Sequence, residues 1–377
     1  MTDAESIPCL VKWQFASDPF SEKFFPNKVW ERPKDETGYI KYRLNVIKQS
    51  KDKYNILIIG DYGSGKTYLI NVLSYFIKEK MKCYSIYFNM PLPSEAIGIK
   101  DILKQFFNAI KIDEIVRVSR EICDENKIST YEEYETFLSS KLIHEDVIKA
   151  ICNLQFDKEY VLTTAWLSGK SNLLQVRKLE FNTISNDEST ILNILSDIIR
   201  FLGIKYGLVG IFVDEVENLV GTSRATRSIR DGIRNLYDQA IYKTQTCGIL
   251  FCFALTARTA FEFDNIIGGA LLDRIDRQVF LKPLDLDEQK NFIKYLFKWA
   301  KSEGREENSL KPFKDEKALE YFLNSVPDTP IIPKSRSSGE TGTPRRIIKV
   351  GAELFGDACY KGLDVITHDK IKDILQV

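Results

Sequence analysis

The sequence has few of the residues that usually build metal centres or disulfide frameworks. It contains two histidines and seven cysteines in 377 residues, and no two cysteines form a C-x-x-C pair. We therefore expect no structural zinc site, and we expect reduced thiols in a cytoplasmic protein. The N-terminal segment lacks the basic-then-apolar pattern of a signal peptide, and the longest apolar run, 247–257, is too short to span a bilayer. No membrane association is expected.

The chain also lacks net charge, because 53 Lys and Arg residues are balanced by 53 Asp and Glu residues. This balance excludes a bulk polycation, so any contact with nucleic acid would require a local basic patch. Hydrophobic residues make up 44% of the chain and aromatic residues 12%. A composition of this kind is typical of a folded protein and not of a disordered one.

Short apolar segments alternate with helical patterns from residue 53 onward. Four segments read as buried strands and a fifth as a shorter one: Lys53–Gly60, Cys83–Met90, Leu208–Glu215, Cys247–Thr256 and Arg277–Leu281. Strands that alternate with helices predict an α/β fold, in which a parallel sheet is flanked by helices.

A glycine-rich motif follows the first predicted strand directly. Its residues match G-x-x-x-x-G-K-[ST] in full: Gly60, Asp61, Tyr62, Gly63, Ser64, Gly65, Lys66 and Thr67. Glycines let successive backbone N–H groups face a phosphate, and the start of the next helix adds positive potential. Lys66 would neutralise the β- and γ-phosphates of ATP, and the Thr67 hydroxyl would bind Mg²⁺. The strand before the motif and the helix after it favour this interpretation over a chance turn.

Two acids end the third predicted strand. Asp214 and Glu215 follow a run of apolar and small residues. Asp214 would hold the magnesium ion, and Glu215 would orient and polarise the attacking water. The other interpretation is a strand that ends in surface acids. An acid directly after the magnesium acid favours hydrolysis over phosphoryl transfer to a second substrate.

Three further polar residues have two interpretations each. Thr256 ends an apolar strand and either positions the lytic water or caps the next helix. Arg274 either stabilises transition-state charge, an effect of roughly 10³–10⁵ in rate, or forms a surface salt bridge with Asp273 or Asp276. Arg345 lies in the first turn of a late helix that begins with proline. It either reaches back to the nucleotide or lies in solvent.

In this order the motifs resemble those of the AAA+ ATPases, over residues 53–90 and 207–377. The resemblance implies one role for each motif: Walker A for residues 60–67, Walker B for Asp214 and Glu215, sensor 1 for Thr256, the arginine finger for Arg274 and sensor 2 for Arg345. Asn89, at the end of the second strand, matches the polar residue that restrains the catalytic glutamate in many members.

Within this superfamily the chain resembles origin-recognition initiators and transposition regulators. The strings GDYGSGKT, AWLSG at 165–169 and VDEVENL also resemble ATP-binding proteins of prokaryotic phage-defence systems. There are two departures. About 115 residues separate the second strand from the acidic strand, and only about 30 residues follow Arg345. We therefore expect no winged helix, which initiators usually add for duplex binding.

These patterns predict three segments. Residues 1–50 form an N-terminal lead-in, 51–283 an AAA+ nucleotide-binding domain with a helical insert at about 97–186, and 284–377 a C-terminal α-helical lid. The insert contains Trp166, which we expect in its core, and the acidic string YEEYE at 131–135. An acidic surface disfavours DNA there and suits a protein partner.

A predicted helix over 223–242 carries a stripe of arginines. Four of them fall within an arc of about 120°: Arg224, Arg227, Arg230 and Arg234. Apolar residues occupy a different face, so the stripe is expected to be exposed. Three interpretations stay open: a salt-dependent DNA contact, a contact with a protein or an adjacent subunit, and ordinary solvated surface.

Together these features predict an oligomeric ATPase that uses ATP and Mg²⁺. It would act as a regulator or remodeller in a DNA-processing or defence system, on DNA or on a protein partner. A homo-oligomer is expected because Arg274, as an arginine finger, would complete the site of an adjacent subunit. The alternative is a slow-turnover, nucleotide-gated scaffold or signalling switch in a protein complex without direct DNA contact.

Overall fold

The computed structural model describes residues 10, 12–20, 34–90, 105, 107–184, 188–219, 246–256, 272–300, 309–327, 329 and 343–377. The predicted arginine stripe at 224–234 lies outside the described residues.

Five strands form one sheet. They are β1 (Lys53–Gly60), β2 (Tyr84–Asn89), β3 (Leu208–Asp214), β4 (Gly248–Thr256) and β5 (Arg277–Leu281). Their order across the sheet is β2-β3-β4-β1-β5, and β3 pairs in parallel with both β2 and β4. Every residue of β3 is buried, as expected for a strand covered on both faces. The predicted α/β class, a parallel sheet flanked by helices, is confirmed.

Helices make up most of the remaining described chain. Up to the third strand they are α1 (Lys34–Ser50), α2 (Lys66–Tyr75), α3 (Ile112–Asn126), α4 (Tyr131–Ser139), α5 (Glu145–Gln155), α6 (Tyr160–Leu167), α7 (Leu173–Lys178) and α8 (Glu188–Tyr206). A π-helical turn, Phe76–Lys80, extends α2, and a 3₁₀ turn, Val216–Leu219, follows β3. The last four helices are α9 (Leu286–Ala300), α10 (Glu316–Ser325), α11 (Pro344–Tyr360) and α12 (His368–Leu375).

Local sequence explains several helix starts. Thr130 and Glu133 form a capping box at α4, and Asn172 and Gln175 form another at α7. Each box satisfies backbone N–H groups that a first helical turn leaves without partners. Glu133 belongs to the acidic string at 131–135, so one of the carboxylates in that string caps the helix.

The chain divides into two compact units. The first unit comprises residues 34–59 and 72–279 and contains most of the sheet. One continuous apolar core joins its strands with the helices of the insert and with α8, and Trp166 is fully buried in it. The Trp166 indole N–H donates to the Thr183 carbonyl oxygen at 2.9 Å, and its ring packs edge-on against Phe181. The prediction that Trp166 is a core residue is confirmed.

A buried ion pair lies on α8 within this first unit. Arg200 Nη1 donates to Asp197 Oδ1 at 2.5 Å, and both side chains are buried. The Asp197 carboxylate also accepts hydrogen bonds from the backbone N–H groups of Ile143 and His144 and contacts His144 Nδ1. Burial by itself raises the pKa of Asp197, but the hydrogen bonds from His144 and Arg200 outweigh it, and the pKa is lowered.

The second unit comprises residues 1–33, 60–71 and 280–377. Its core joins α9–α12 with the N-terminal segment 12–20, through Trp13, Phe15 and Phe20. The Phe20 and Phe355 rings meet edge-on at 4.7 Å, and the Trp13 indole N–H donates to the Leu363 carbonyl oxygen at 3.2 Å. The N-terminal segment is therefore part of the core that the last helices form.

The cysteines among the described residues fall into two groups. Cys83, Cys123, Cys152, Cys247 and Cys252 are buried free thiols, whereas Cys359 is disulfide-bonded. The expectation that all thiols are reduced is therefore wrong for Cys359. No helix in the described ranges has the length and apolar character needed to cross a membrane.

Candidate nucleotide site

The phosphate loop, residues 60–67, connects the end of β1 to the start of α2. Gly63 and Gly65 have φ angles of +81° and +101°. Side chains with a Cβ atom are strained in this left-handed region, so the turn needs glycine at both positions. The loop thereby leads the chain from a buried strand into a helix whose first residue is Lys66.

Polar groups suited to a phosphate gather in this loop. Lys66 is 8% exposed, and its Nζ donates to the carbonyl oxygens of Gly60 and Asp61 at 3.0 and 3.1 Å. Ser64 Oγ is buried and has no hydrogen-bond partner among the described residues. A lysine, an unsatisfied hydroxyl and the N-terminus of α2 form a donor set that fits the phosphates of ATP.

The start of α11 contacts the phosphate loop. Thr343 caps the helix, Pro344 occupies its first turn, and the Arg345 backbone N–H donates to the Gly63 carbonyl oxygen at 3.4 Å. The Arg345 guanidinium lies over the Tyr62 ring, 4.6 Å from its centroid. A Cβ on Gly63 would lie 3.0 Å from the Arg345 Cβ. Arg345 therefore lies beside the loop, as the interpretation that it reaches back to the nucleotide requires.

The neighbouring arginine, Arg346, has a different environment. It is 4% exposed, and its Nε donates to the Val326 carbonyl oxygen at 2.8 Å. Its Nη2 donates to the carbonyl oxygens of Pro327 and Thr329 at 3.3 and 3.2 Å. Arg346 thus binds the chain that follows α10. Adjacent helical residues point about 100° apart, which separates the two arginines.

The predicted Walker B acids lie at the end of β3. Asp214 is 2% exposed, and its Oδ1 accepts a hydrogen bond from the Glu215 backbone N–H at 2.9 Å. The Tyr87 hydroxyl lies 3.3 Å from Asp214 Oδ2 and 2.5 Å from Asn89 Oδ1. Asn89 is in register with Asp214 across the β2–β3 pair. Tyr87, which sequence reasoning missed, therefore links the two predicted residues.

Tyr87 remains a hydrogen-bond donor in this position. Burial raises the pKa of its hydroxyl most, and the negative charge of Asp214 raises the pKa further. A protonated hydroxyl beside a carboxylate holds that carboxylate in one orientation. The only sequence signal for Tyr87 is its place two residues before Asn89, on the same face of a strand.

Glu215 has an unusual backbone conformation. Its side chain is exposed and its φ is +58°, the left-handed region that residues with a Cβ rarely adopt. Its carbonyl oxygen accepts the Asn218 backbone N–H at 2.9 Å. Such strain amounts to about 1–3 kcal/mol and persists where neighbouring structure enforces it, often at functional sites.

Thr256 and Arg274 lie at different places in the sheet. The Thr256 backbone N–H, at the end of β4, donates to Glu217 Oε2 at 2.9 Å. Any helix that Thr256 caps would lie outside the described residues. Near the start of β1, the Arg274 carbonyl oxygen accepts from Asn55 Nδ2 at 2.8 Å. Asp276 accepts from both the backbone N–H and the Nδ2 of Asn55. Arg274 thus lies near the start of β1, whereas the phosphate loop follows the end of β1.

No protein-family model matches the chain, and no curated protein matches it. Among solved structures, the chain is similar to the ORC2 protein of Aeropyrum pernix in its ADPNP–ADP complexes. The TM-score is 0.57 at 13% identity, over 96% of this chain and 72% of that one. The ADP form of the same protein gives a TM-score of 0.55 at 14% identity, over 95% and 71%.

A chain of Drosophila ORC bound to DNA is also similar. Its TM-score is 0.51 at 12% identity, and the match covers 100% of this chain and 67% of that one. At such low identities the similarity concerns the fold. The predicted resemblance is confirmed at that level: this chain has an AAA+ fold like that of these ORC proteins.

Proposed function

We propose that this protein is an AAA+ ATPase that binds and hydrolyses ATP with Mg²⁺ and acts as an oligomeric regulator or remodeller in a DNA-processing or defence system. The observation that carries the proposal is the contact between α11 and the phosphate loop. It brings Arg345 beside a loop that already contains Lys66 and the N-terminus of α2. Two cations and a helix start suit a polyphosphate. The similarity to ORC2, solved with ADPNP and ADP, supports a nucleotide ligand.

Each proposed site residue has a chemical role. Thr67 and Asp214 supply the oxygen ligands that Mg²⁺ prefers, and bound Mg²⁺ would neutralise charge on the phosphate oxygens. Glu215 accepts a proton from the attacking water and orients it, and the Thr256 hydroxyl positions the same water. Lys66 and Arg345 stabilise the negative charge that develops on the γ-phosphate.

The proposal makes assembly part of the reaction. Arg274 acts on the nucleotide of an adjacent subunit, which agrees with its place near the start of β1 and not at the loop that follows the strand. ATP then stabilises the assembled state, and hydrolysis releases it, because only ATP offers a γ-phosphate to bind. Direct DNA contact through the stripe at 224–234 stays a prediction from the sequence.

Nucleotide binding and turnover test the proposal separately. Lys66→Ala should abolish ATP binding, and Glu215→Gln should bind ATP without hydrolysing it, both measured by calorimetry and phosphate release. Lys78→Ala and Glu353→Gln change exposed residues of the same types and serve as controls. Normal hydrolysis by Glu215→Gln would show that Glu215 is not the catalytic base.

Assembly has its own test. The hydrolysis rate per subunit should rise with protein concentration, or on addition of DNA. Arg274→Ala should depress the rate, and mixing it with Glu215→Gln should restore part of the activity. The absence of rescue would refute a finger that acts across subunits. A near-zero rate under all conditions, with ATP bound, would instead favour the slow-turnover scaffold.

A further inference from the structure

The 3₁₀ turn after β3 is hydrogen-bonded to the ends of the strands on both sides of β3. On one side, Glu217 Oε2 accepts the Thr256 backbone N–H at the end of β4, at 2.9 Å. On the other, Asn218 Nδ2 donates to the Met90 carbonyl oxygen directly after β2, at 2.7 Å. Because β3 lies between β2 and β4, one short turn connects three neighbouring strand ends.

This turn also sets the conformation of Glu215. The Glu215 N–H donates a hydrogen bond to Asp214 Oδ1, and the Glu215 carbonyl oxygen accepts one from the Asn218 N–H, each at 2.9 Å. Val216, the next residue, is fully buried. A residue with φ of +58° keeps this conformation only where its surroundings enforce it. The buried Val216 and the two side-chain bonds that follow it provide that constraint.

We propose that Glu217 is a positioning residue that couples Thr256 to Glu215. The inference rests on the proposed function, in which those two residues orient one water molecule. The Glu217 carboxylate holds the backbone at Thr256 while its own backbone continues the Glu215 turn, so it fixes both groups relative to each other. A carboxylate that accepts from a backbone N–H forms a charge-assisted bond, which is stronger than a neutral one. Asn218 anchors the same turn to the opposite strand.

Two substitutions separate this role from a general loss of structure. Glu217→Ala removes the acceptor and should lower kcat about ten- to hundredfold, because small misplacements of reacting groups have effects of this size. The Kd for ATP should stay within about twofold, since the phosphate loop is unchanged. Glu217→Gln keeps an oxygen acceptor for the Thr256 N–H and should retain most of the wild-type kcat.

Amide hydrogen exchange tests the contact directly. Exchange at the Thr256 amide should be faster in Glu217→Ala than in the wild type and close to the wild-type rate in Glu217→Gln. If Glu217→Ala does not fold, Glu217→Asp provides the same test, because it shortens the reach by one methylene while the charge is kept. Its kcat should fall and its Thr256 amide should exchange faster.

The outcomes distinguish the inference from the function on which it rests. A wild-type protein that binds no ATP, or binds it without turnover, refutes the proposed function and the inference with it. If the wild type hydrolyses ATP, a wild-type kcat in Glu217→Ala overturns the inference alone. Equal losses in Glu217→Ala and Glu217→Gln also overturn it, because the acceptor oxygen would then be irrelevant.

Discussion

The two adjacent arginines at the start of α11 allow a sharp test, because the structure gives them opposite environments. Arg346 is buried and donates to three backbone carbonyl oxygens. Arg345 lies over the ring of Tyr62, which is 47% exposed. We therefore expect Arg346→Ala to reduce stability, and Arg345→Ala to reduce ATP hydrolysis with little effect on stability.

The contacts set the expected magnitudes. A hydrogen bond from a charged donor contributes about 1.5–3 kcal/mol. Only the bond from Arg346 Nε to Val326 is as short as 2.8 Å, and the other two exceed 3.1 Å. Each buried carbonyl group left unpaired costs about 1–3 kcal/mol, so loss of these bonds should lower the free energy of unfolding by about 3–5 kcal/mol in total. Arg345→Ala removes one cation–π contact, worth about 0.5–1 kcal/mol where partly exposed.

Urea unfolding followed by tryptophan fluorescence measures the difference, because Trp13 and Trp299 lie in the same core as α11. ATP turnover is then compared under conditions in which both variants are folded. The reasoning would be refuted if Arg345→Ala lowered the free energy of unfolding as much as Arg346→Ala. A wild-type free energy of unfolding in Arg346→Ala would refute it equally.

Three further predictions concern stability and the phosphate loop. Gly351→Ala should lower the free energy of unfolding by about 1–3 kcal/mol, because the new Cβ would lie 2.3 Å from the buried Phe20 ring. Gly356→Ala, in the same helix with nothing within 4 Å, should raise it by about 0.5–1 kcal/mol. Asp197→Asn should be less stable than the wild type at pH 7. The pKa of Asp197 is lowered in the folded state. The difference in the free energy of unfolding between wild type and variant should therefore be largest above the pKa of an unfolded aspartate, about 3.9, and should decrease as the pH falls below that pKa. Tyr62→Phe should keep a normal ATPase rate, whereas Tyr62→Ala should lower it severalfold, because only a ring holds the arginine above it.

Each of these predictions has a result that contradicts it. If alanine at Gly351 and alanine at Gly356 changed the free energy of unfolding equally, the Phe20 ring could move away from the new Cβ without a cost in stability. If the difference in the free energy of unfolding between Asp197→Asn and the wild type stayed constant from pH 7 to pH 3, ionisation of Asp197 would not contribute to the pH dependence of stability. Indistinguishable rates for the alanine and phenylalanine variants of Tyr62 would exclude a role for the ring.

Much of the fold could be predicted because its signals are local. The buried strands are short, nearly continuous apolar runs, and the phosphate loop has a fixed spacing between its first strand and α2. The structure confirms the α/β class and the AAA+ fold. The helix start at Pro344 was also predicted from proline, but the two interpretations of Arg345 were separated only by its contacts with Gly63 and Tyr62.

Other features depend on contacts between residues far apart in the sequence. Trp13, Phe15 and Phe20 show no periodicity that would link them to helices some 300 residues later. Arg345 and Arg346 are the same residue type, and only tertiary packing separates the buried one from the other. Glu217 and Asn218 form hydrogen bonds to the ends of other strands, and such bonds leave no pattern in the sequence around them.

The presence of segment 12–20 in the same core as α9–α12 has a consequence for the order of folding during synthesis. Residues near the start of the chain must wait for α12 to leave the ribosome before their core is complete. The phosphate loop, within segment 60–71, belongs to this same second unit, whereas the first unit ends at residue 279. Domains generally fold as units as the chain emerges. A chain that stops short of α12 would therefore contain the core of the first unit but an incomplete core around the phosphate loop, so ATP binding would report that α12 has been synthesised.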